Sequence, residues 1–361
     1  MNAYRMDPTR GAAGAAVVLA ILMTASAAST GSDGGLQPAA SPQPRADSSS
    51  GGAAAEEIPL AVQIFFKPLP TEMPGSRDDT PEIIAVGRKL FFEQGISLTK
   101  SQSCSECHHL DARRAGGDGE PTSKGAKGLL GKRNAPTVLN AGFQVAQFWD
   151  GRAADLVEQA KGPVLNPDEM AMRSPEEVVD RLKSIDGYVP AFKAAYPDQA
   201  EPVTFDNMAR AIAAFERTLV TPSRFDRYLR GETSALTQQE KQGLNCFTHT
   251  GCVECHSSYT VGGRLFEKVG VYHPYTNQED VGRYGVTHND EDRLVFKVPM
   301  LRNITLTAPY FHDGREAALT EAVRLMAWMQ LDTKLSAAEI EEIVSFLHAL
   351  EAEHPVNIAG P

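Results

Sequence analysis

Two short stretches of the chain carry residues whose types and spacing prescribe a chemistry. Cys104-Ser105-Glu106-Cys107-His108 and Cys252-Val253-Glu254-Cys255-His256 both read C-x-x-C-H, the attachment pattern for c-type haem. Two thiols at this spacing can add to the two vinyl groups on one edge of a porphyrin. The adjacent imidazole then lies over the ring centre and ligates the iron. A thioredoxin-like redox pair or half of a zinc site would use the cysteines but leaves the histidine unexplained in both copies. The motifs take four of the five cysteines, so no disulfide framework is implied, and Cys246 is left over.

The rest of the sequence must position these groups. At 361 residues the chain is long enough for two domains, each with a core of its own. The N-terminus reads as a secretory signal over residues 1–27: Arg5 and Arg10, an apolar run from Ala15 to Met23, then Ala25-Ser26-Ala27. The run is shorter than the ~20 residues of a spanning helix, which favours cleavage over an uncleaved anchor and points to the periplasm. Residues 28–56 are rich in Ser, Gly, Ala, Pro and Asp, too polar to bury a surface, and read as a disordered linker. The whole chain carries −11; cleavage removes two Arg and one Asp and leaves about −12. Such a balance argues against nucleic acid and for a cationic protein partner.

The remaining elements read as helices. Ser174 with Glu177, Thr237 with Glu240, and Ser336 with Glu339 have the spacing of capping boxes. Met208, Ile212, Phe215 and Leu219 mark one buried helical face, and Ile340, Ile343, Val344 and Leu347 mark another. Strand-like alternation is scarce, with Leu294–Val298 the best case. The predicted class is all-α.

The two halves also repeat one another. Gly87 and Leu90-Phe91 precede the first motif as Gly243 and Cys246-Phe247 precede the second. Cys246 therefore stands where the first half has Leu90 and reads as a small buried hydrophobe, with a reactive or metal-binding thiol as the alternative. Downstream, Pro136 to Trp149-Asp150-Gly151-Arg152 and Pro299 to His312-Asp313-Gly314-Arg315 have equal lengths, and Leu156 and Glu158 match Leu319 and Glu321. The expected fold is two tandem class-I cytochrome-c-like domains, each holding one covalent haem. They span residues 57–222 and 223–361, and the last helix is a candidate to pack across both. The repeat register predicts different sixth ligands. Met326 follows His312 at the distance at which Pro163 follows Trp149, so His256 and Met326 can close the second iron while the first keeps His108 and an open position. His/Met ligation raises a haem's potential and suits electron transfer. Met170, Met172 and Met329 are lesser candidates.

With these motifs, P-T-V-L-N-A…Q-F-W-D-G-R (from Pro136) and L-R-N-I-T-L-T-A-P-Y-F-H-D-G-R (from Leu301), the chain resembles the bacterial di-haem cytochrome c peroxidases over roughly residues 60–350. The resemblance implies reduction of hydrogen peroxide to water with electrons from a small cytochrome c or cupredoxin, which enter at the second haem and pass to the first, peroxidatic one. It implies that His108 is the proximal ligand of the peroxidatic haem, that His256 and Met326 are the axial pair of the other, and that Glu169 and Gln159 are the distal carboxylate and glutamine. It places Trp149 between the haems, His312 near the haem propionates, and a calcium ion on Asn134 with the carbonyls of Thr307 and Pro309. A carboxylate over the haem can take a proton from one peroxide oxygen and return it to the other, and an amide with two carbonyls suits calcium.

One departure stands out. Many relatives have a histidine in the loop before P-T-V-L-N that caps the resting peroxidatic iron. Here the loop Gly116–Asn134 has none, and Ala126 stands about where it is expected. Lys124, Lys127, Met172 and His109 are the spare donors nearby. Two competing readings differ in kind. One is a relative that oxidises residues of a partner protein, which usually has tyrosine where this chain has Met326. The other is a non-enzymatic di-haem electron carrier, in which both irons would be six-coordinate. The physiological donor, a calcium requirement and homodimer formation are left open.

Overall fold

The computed structural model describes residues 57–354, 356–358 and 360; the expected signal segment and linker lie outside the described residues. Twelve helices follow in order: α1 (Leu60–Phe65), α2 (Pro81–Phe91), α3 (Cys104–Cys107), α4 (Leu156–Leu165), α5 (Pro175–Ser184), α6 (Tyr188–Ala195), α7 (Phe205–Arg217), α8 (Arg224–Leu229), α9 (Gln238–Thr250), α10 (Tyr284–Thr287), α11 (Leu319–Leu331) and α12 (Ala337–His348). The only sheet among the described residues is an antiparallel pair, β1 (Phe266–Lys268) with β2 (Val295–Lys297), in register Phe266–Lys297. This is the segment in which alternation is visible in the sequence.

Local chemistry sets the helix ends. Thr237 with Glu240 and Ser336 with Glu339 form complete capping boxes at α9 and α12. At α5 the Ser174 hydroxyl accepts from the Glu177 amide, but the Glu177 carboxylate turns to the Arg173 amide and to Arg181 instead, so that box is half made. Ser223 with Asp226 forms a further box at α8.

Two cores organise the fold, and they are built alike. In the first, α2 crosses α7 at Gly87, where a Cβ would lie 1.8 Å from the Ala211 carbonyl oxygen and 3.0 Å from the Phe215 Cβ. In the second, α9 crosses α12 at Gly243, where a Cβ would lie 1.8 Å from the Glu342 oxygen and 3.0 Å from the Phe346 Cβ. Phe91 meets Phe215 with ring centroids 5.3 Å apart, and Phe247 meets Phe346 at 5.3 Å. The connecting loops repeat as well. Asn140 and Asn303 are both left-handed; their amides donate to the carbonyls of Leu219 and Leu350, and their side-chain oxygens accept from the amides of Thr221 and Ala352. The Trp149 and His312 turns are closed by matching bridges, Gln147–Ala153 and Tyr310–Glu316.

The division at residue 222 needs correction at both ends of the chain. Helix α1 precedes the first core in sequence but packs in the second, where Val62 and Phe66 lie against Phe225 and Phe346. The Phe65 carbonyl accepts from the Ser258 amide, and the Leu69 amide donates to Asp226. Helix α12 stays in the second core; the tail after it returns to the first, where Val356 and Ile358 pack and the Ile358 amide donates to Leu110. Apolar surface left uncovered in each half selects these exchanges, and no local pattern records them.

At the helix crossings, Gly243→Ala forces α9 and α12 apart. We expect a loss of about 3 kcal/mol, typical of overpacking, seen as a lower Tm in calorimetry of the holoprotein. Gly285→Ala, where the new methyl meets nothing closer than 3.8 Å, should leave Tm within a degree or two.

Candidate haem sites

The two motifs, one a turn of α-helix and the other a 3-10 turn, share a backbone hydrogen bond. In each, the histidine amide donates to the carbonyl of the first cysteine at 2.9 Å (His108 to Cys104, His256 to Cys252). All five cysteines are free thiols.

The second motif opens on an apolar cavity of about 230 Å³ lined by Cys252, Cys255, His256 and the inner face of α11, including Leu319, Val323 and Met326. Burial holds the His256 ring down at about 4, so it is the neutral imidazole that metals bind. Its Nδ1 faces the carbonyls of Val261 and Pro299 without a well-formed hydrogen bond. His312 is buried on the same wall, its ring stacked on Phe296 at 4.2 Å and its Nε2 without a partner. Two thiols, a neutral imidazole, a thioether and an orphaned buried nitrogen around apolar space fit a covalent haem.

Residues of the first half complete that wall. The Trp149 indole donates to the Asn134 carbonyl at 2.9 Å, and the Trp149 carbonyl accepts from the Lys297 amide at 2.7 Å. Trp149 thus lies against the second cavity. The Asn134 amide donates to the His312 carbonyl, and the Asn134 side chain donates to Glu120. Asn134, Thr307 and Pro309 all line this cavity.

Around the first motif, the His108 Nδ1 lies 3.0 Å from the Gly116 carbonyl oxygen, the outer contact that orients a ligating imidazole. Burial lowers the ring's proton affinity despite that bond. The Glu169 carboxylate lies within electrostatic reach of both Cys104 and Cys107. Beyond α4 the chain turns at Asn166 and folds back on the helix, the Met170 amide donating to Pro163 and the Met172 amide to Val164. This return delivers Glu169. Burial pushes its carboxyl above the usual range, against the Asn166 amide bonded to it at 2.7 Å and the charge of Arg152. The loop Gly116–Asn134 packs on the same segment: the Ala126 amide donates to the Glu169 carbonyl at 2.7 Å. Lys124 and Lys127 are exposed, and Met170 and Met172 are buried in the first core. Gln159 is half-buried on α4, and no hydrogen bond joins it to Glu169 among the described residues. Met329 packs in a separate cluster with Val269 and Tyr275.

Two residues of the site escaped the sequence reading. Met300 is buried and lines the second cavity. It follows Pro299, whose carbonyl faces His256. Lys297 is 4% exposed, donates to Gln144 at 2.6 Å, and is pulled down to about 7 by burial. Its repeat position, matching Asn134, was the only hint.

Comparison with known proteins agrees with this geometry. Residues 81–234 match the family model described as di-haem cytochrome c peroxidase. The chain is 43% identical to the cytochrome c551 peroxidase of Pseudomonas aeruginosa over 84% of its length and 89% of that protein. It is 46% identical to that of Nitrosomonas europaea over 76% and 83%. Among solved structures, a MauG-like protein associated with microbial copper homeostasis superimposes with a TM-score of 0.69 at 29% identity, covering 80% of this chain and 94% of that one. With its paired motifs and repeated scaffold, the chain belongs to the di-haem cytochrome c peroxidase family and is an enzyme of that type.

Proposed function

We propose that this chain reduces hydrogen peroxide to two waters in the periplasm, taking two electrons from a small cytochrome c or cupredoxin and two protons from solvent. The observation that carries the reading is the asymmetry of the two halves. Met326 lines the cavity of the second motif, whereas the matching residue of the first half is Pro163, beyond which the chain folds back to bring Glu169 near Cys104 and Cys107. One half offers a closed thioether–imidazole pair for electron entry, the other an open face with a buried carboxylate. Bound covalently, the haems supply the redox-active irons. The protein's part is to hold and move protons. Glu169, steadied by Asn166, takes a proton from one peroxide oxygen and returns it to the other as the O–O bond breaks. Gln159 extends the polar face, Trp149 stands between the cavities, and His312 holds haem carboxylates. Asn134 with the carbonyls of Thr307 and Pro309 would hold a calcium ion.

Export rests on the N-terminal segment and on the haem chemistry. No helix among the described residues is long and apolar enough to cross a membrane. The acidic balance suits a cationic donor.

Three measurements test the proposal. Glu169→Gln should keep two haems per chain by pyridine haemochrome assay and lower turnover by about 10²-fold. Because burial raises the Glu169 carboxyl, wild-type kcat/KM should gain its acid limb above the ordinary carboxylate range, rising with pH as the base form appears; the variant should lose that limb. Turnover within a small factor of wild type would remove Glu169 from the mechanism.

With no donor from the loop at Ala126 and none at Pro163, the oxidised protein should show a high-spin ferric component in electron paramagnetic resonance. It should react with peroxide without prior reduction. Two purely low-spin signals would reveal a capping residue.

Met326→His should lower the potential of the second haem, since the thioether favours reduced iron, while peroxide still reacts at the first. An unchanged potential would show that another group closes that iron.

A further inference from the structure

Glu216 is the residue of the first core that the mechanism above does not use. It is a carboxylate 4% exposed on α7, and no donor among the described residues hydrogen-bonds to it. Its surroundings follow from the repeat, whose register three separate contacts establish. Ala211 and Phe215 receive Gly87 as Glu342 and Phe346 receive Gly243, with equal close approaches. The carbonyls of Leu219 and Leu350 accept from the two left-handed asparagines. Counting along both helices, Glu216 stands where the second half has Leu347, and Leu347 lines the second haem cavity. The first haem site therefore carries a carboxyl where its twin carries an isobutyl group. Cys104 of the first motif feels the Glu216 charge as its leading electrostatic neighbour.

The ionisable groups on the elements packed around α7 are otherwise engaged. Arg217, whose charge draws the Glu216 carboxyl down against the larger effect of burial, gives its hydrogen bonds to Asp79 at 2.5 and 2.7 Å. Lys161 of α4 is held by Glu158 and Asp206, Arg181 of α5 by Glu177, and the Tyr188 phenol of α6 by Glu93. Arg88 of α2 is exposed.

We propose that Glu216 is the redox-linked proton site of the first haem, a potential-setting carboxyl built into the wall of the peroxidatic cavity. The proposal rests on the reading of His108 as that haem's ligand. A buried anion beside the ring favours the ferric state, and local net charge and burial are levers on haem potential. One electron delivered to the first haem is matched by one proton taken from solvent onto the Glu216 carboxylate, so the cavity gains no net charge. On reoxidation the same proton is released toward solvent. Burial pushes the carboxyl up to about 8, so this exchange falls near neutral pH, where the ordinary carboxylate range would put it far below. At the matching position the second haem faces Leu347 instead.

Spectroelectrochemical titration of the holoprotein at several pH values around that range tests this. In wild type the first haem's potential should fall as pH rises, by up to about 59 mV per pH unit, the tenfold-per-unit limit for one electron and one proton. In Glu216→Gln the slope should vanish and the potential should exceed wild type at alkaline pH, with the second haem unmoved. An unchanged slope in a variant that carries both haems overturns the proposal and leaves the di-haem reading standing. If E216Q fails to load its first haem, the reciprocal L347E decides. The second haem's potential should drop and acquire a pH slope, and an unmoved potential overturns the proposal. A wild-type chain with only one haem by haemochrome assay would sink the di-haem reading and this proposal with it.

Discussion

In each half the helix that leads to a C-x-x-C-H motif crosses a second helix so closely that only hydrogen fits between them. Gly87 sits on Ala211 and Gly243 on Glu342, and a phenylalanine one turn further on packs on the next turn of the leading helix. Everything else hangs from these crossings. They set where α3 and the turn after α9 emerge, hence where the cysteines and histidines face. They also set which residues of α7 and α12 look toward the haem. Helix propensity alone disfavours glycine at such positions by about 1 kcal/mol, so its presence reports the packing rather than local preference.

On this common scaffold, chemistry is divided by a few substitutions at matched positions. Helix α11 runs on to Leu331 and carries Met326 into the second cavity, whereas α4 ends at Leu165, just past Pro163. The shortening frees the following segment to fold back, which brings a carboxylate near the first motif. Met326 and Leu347 line the second cavity, whereas in the first half Glu169 and Glu216 both lie within electrostatic reach of Cys104. Low dielectric amplifies both, since a charge in a cavity is poorly screened.

The halves are joined by polar groups that neither could satisfy alone. Across the junction the Asn134 amide donates to the His312 carbonyl, the Lys297 amide to the Trp149 carbonyl and the Lys297 ammonium to Gln144. Nearby, Arg302 and Asp226 form an ion pair with both side chains fully buried, and the same carboxylate accepts from the amides of Leu69 and Ser223. Deleting one partner of such a pair typically costs about 3–5 kcal/mol, because the other charge is left buried. Its position, tying α1 and α8 to the loop before His312, explains why α1 belongs to the second core despite its place in the sequence.

By itself the sequence determined what is local or periodic. The motifs, the complete caps at Thr237 and Ser336, the paired strand at Val295–Lys297 and the repeat register that opposes Met326 to Pro163 all depend on residues near one another or on a fixed offset. The half-made cap at Ser174 marks the limit, since Glu177 meets the Arg173 amide and Arg181 instead, each only one helical turn away. Tertiary structure alone decided the rest. The hold of Ala126 on Glu169, the Met300 and Lys297 side chains in the second cavity, the transfer of α1 and the return of the tail all arise from non-local contacts. Those contacts are chosen by which apolar surface and which backbone donors remain uncovered once the two cores have formed, a quantity that exists only in three dimensions.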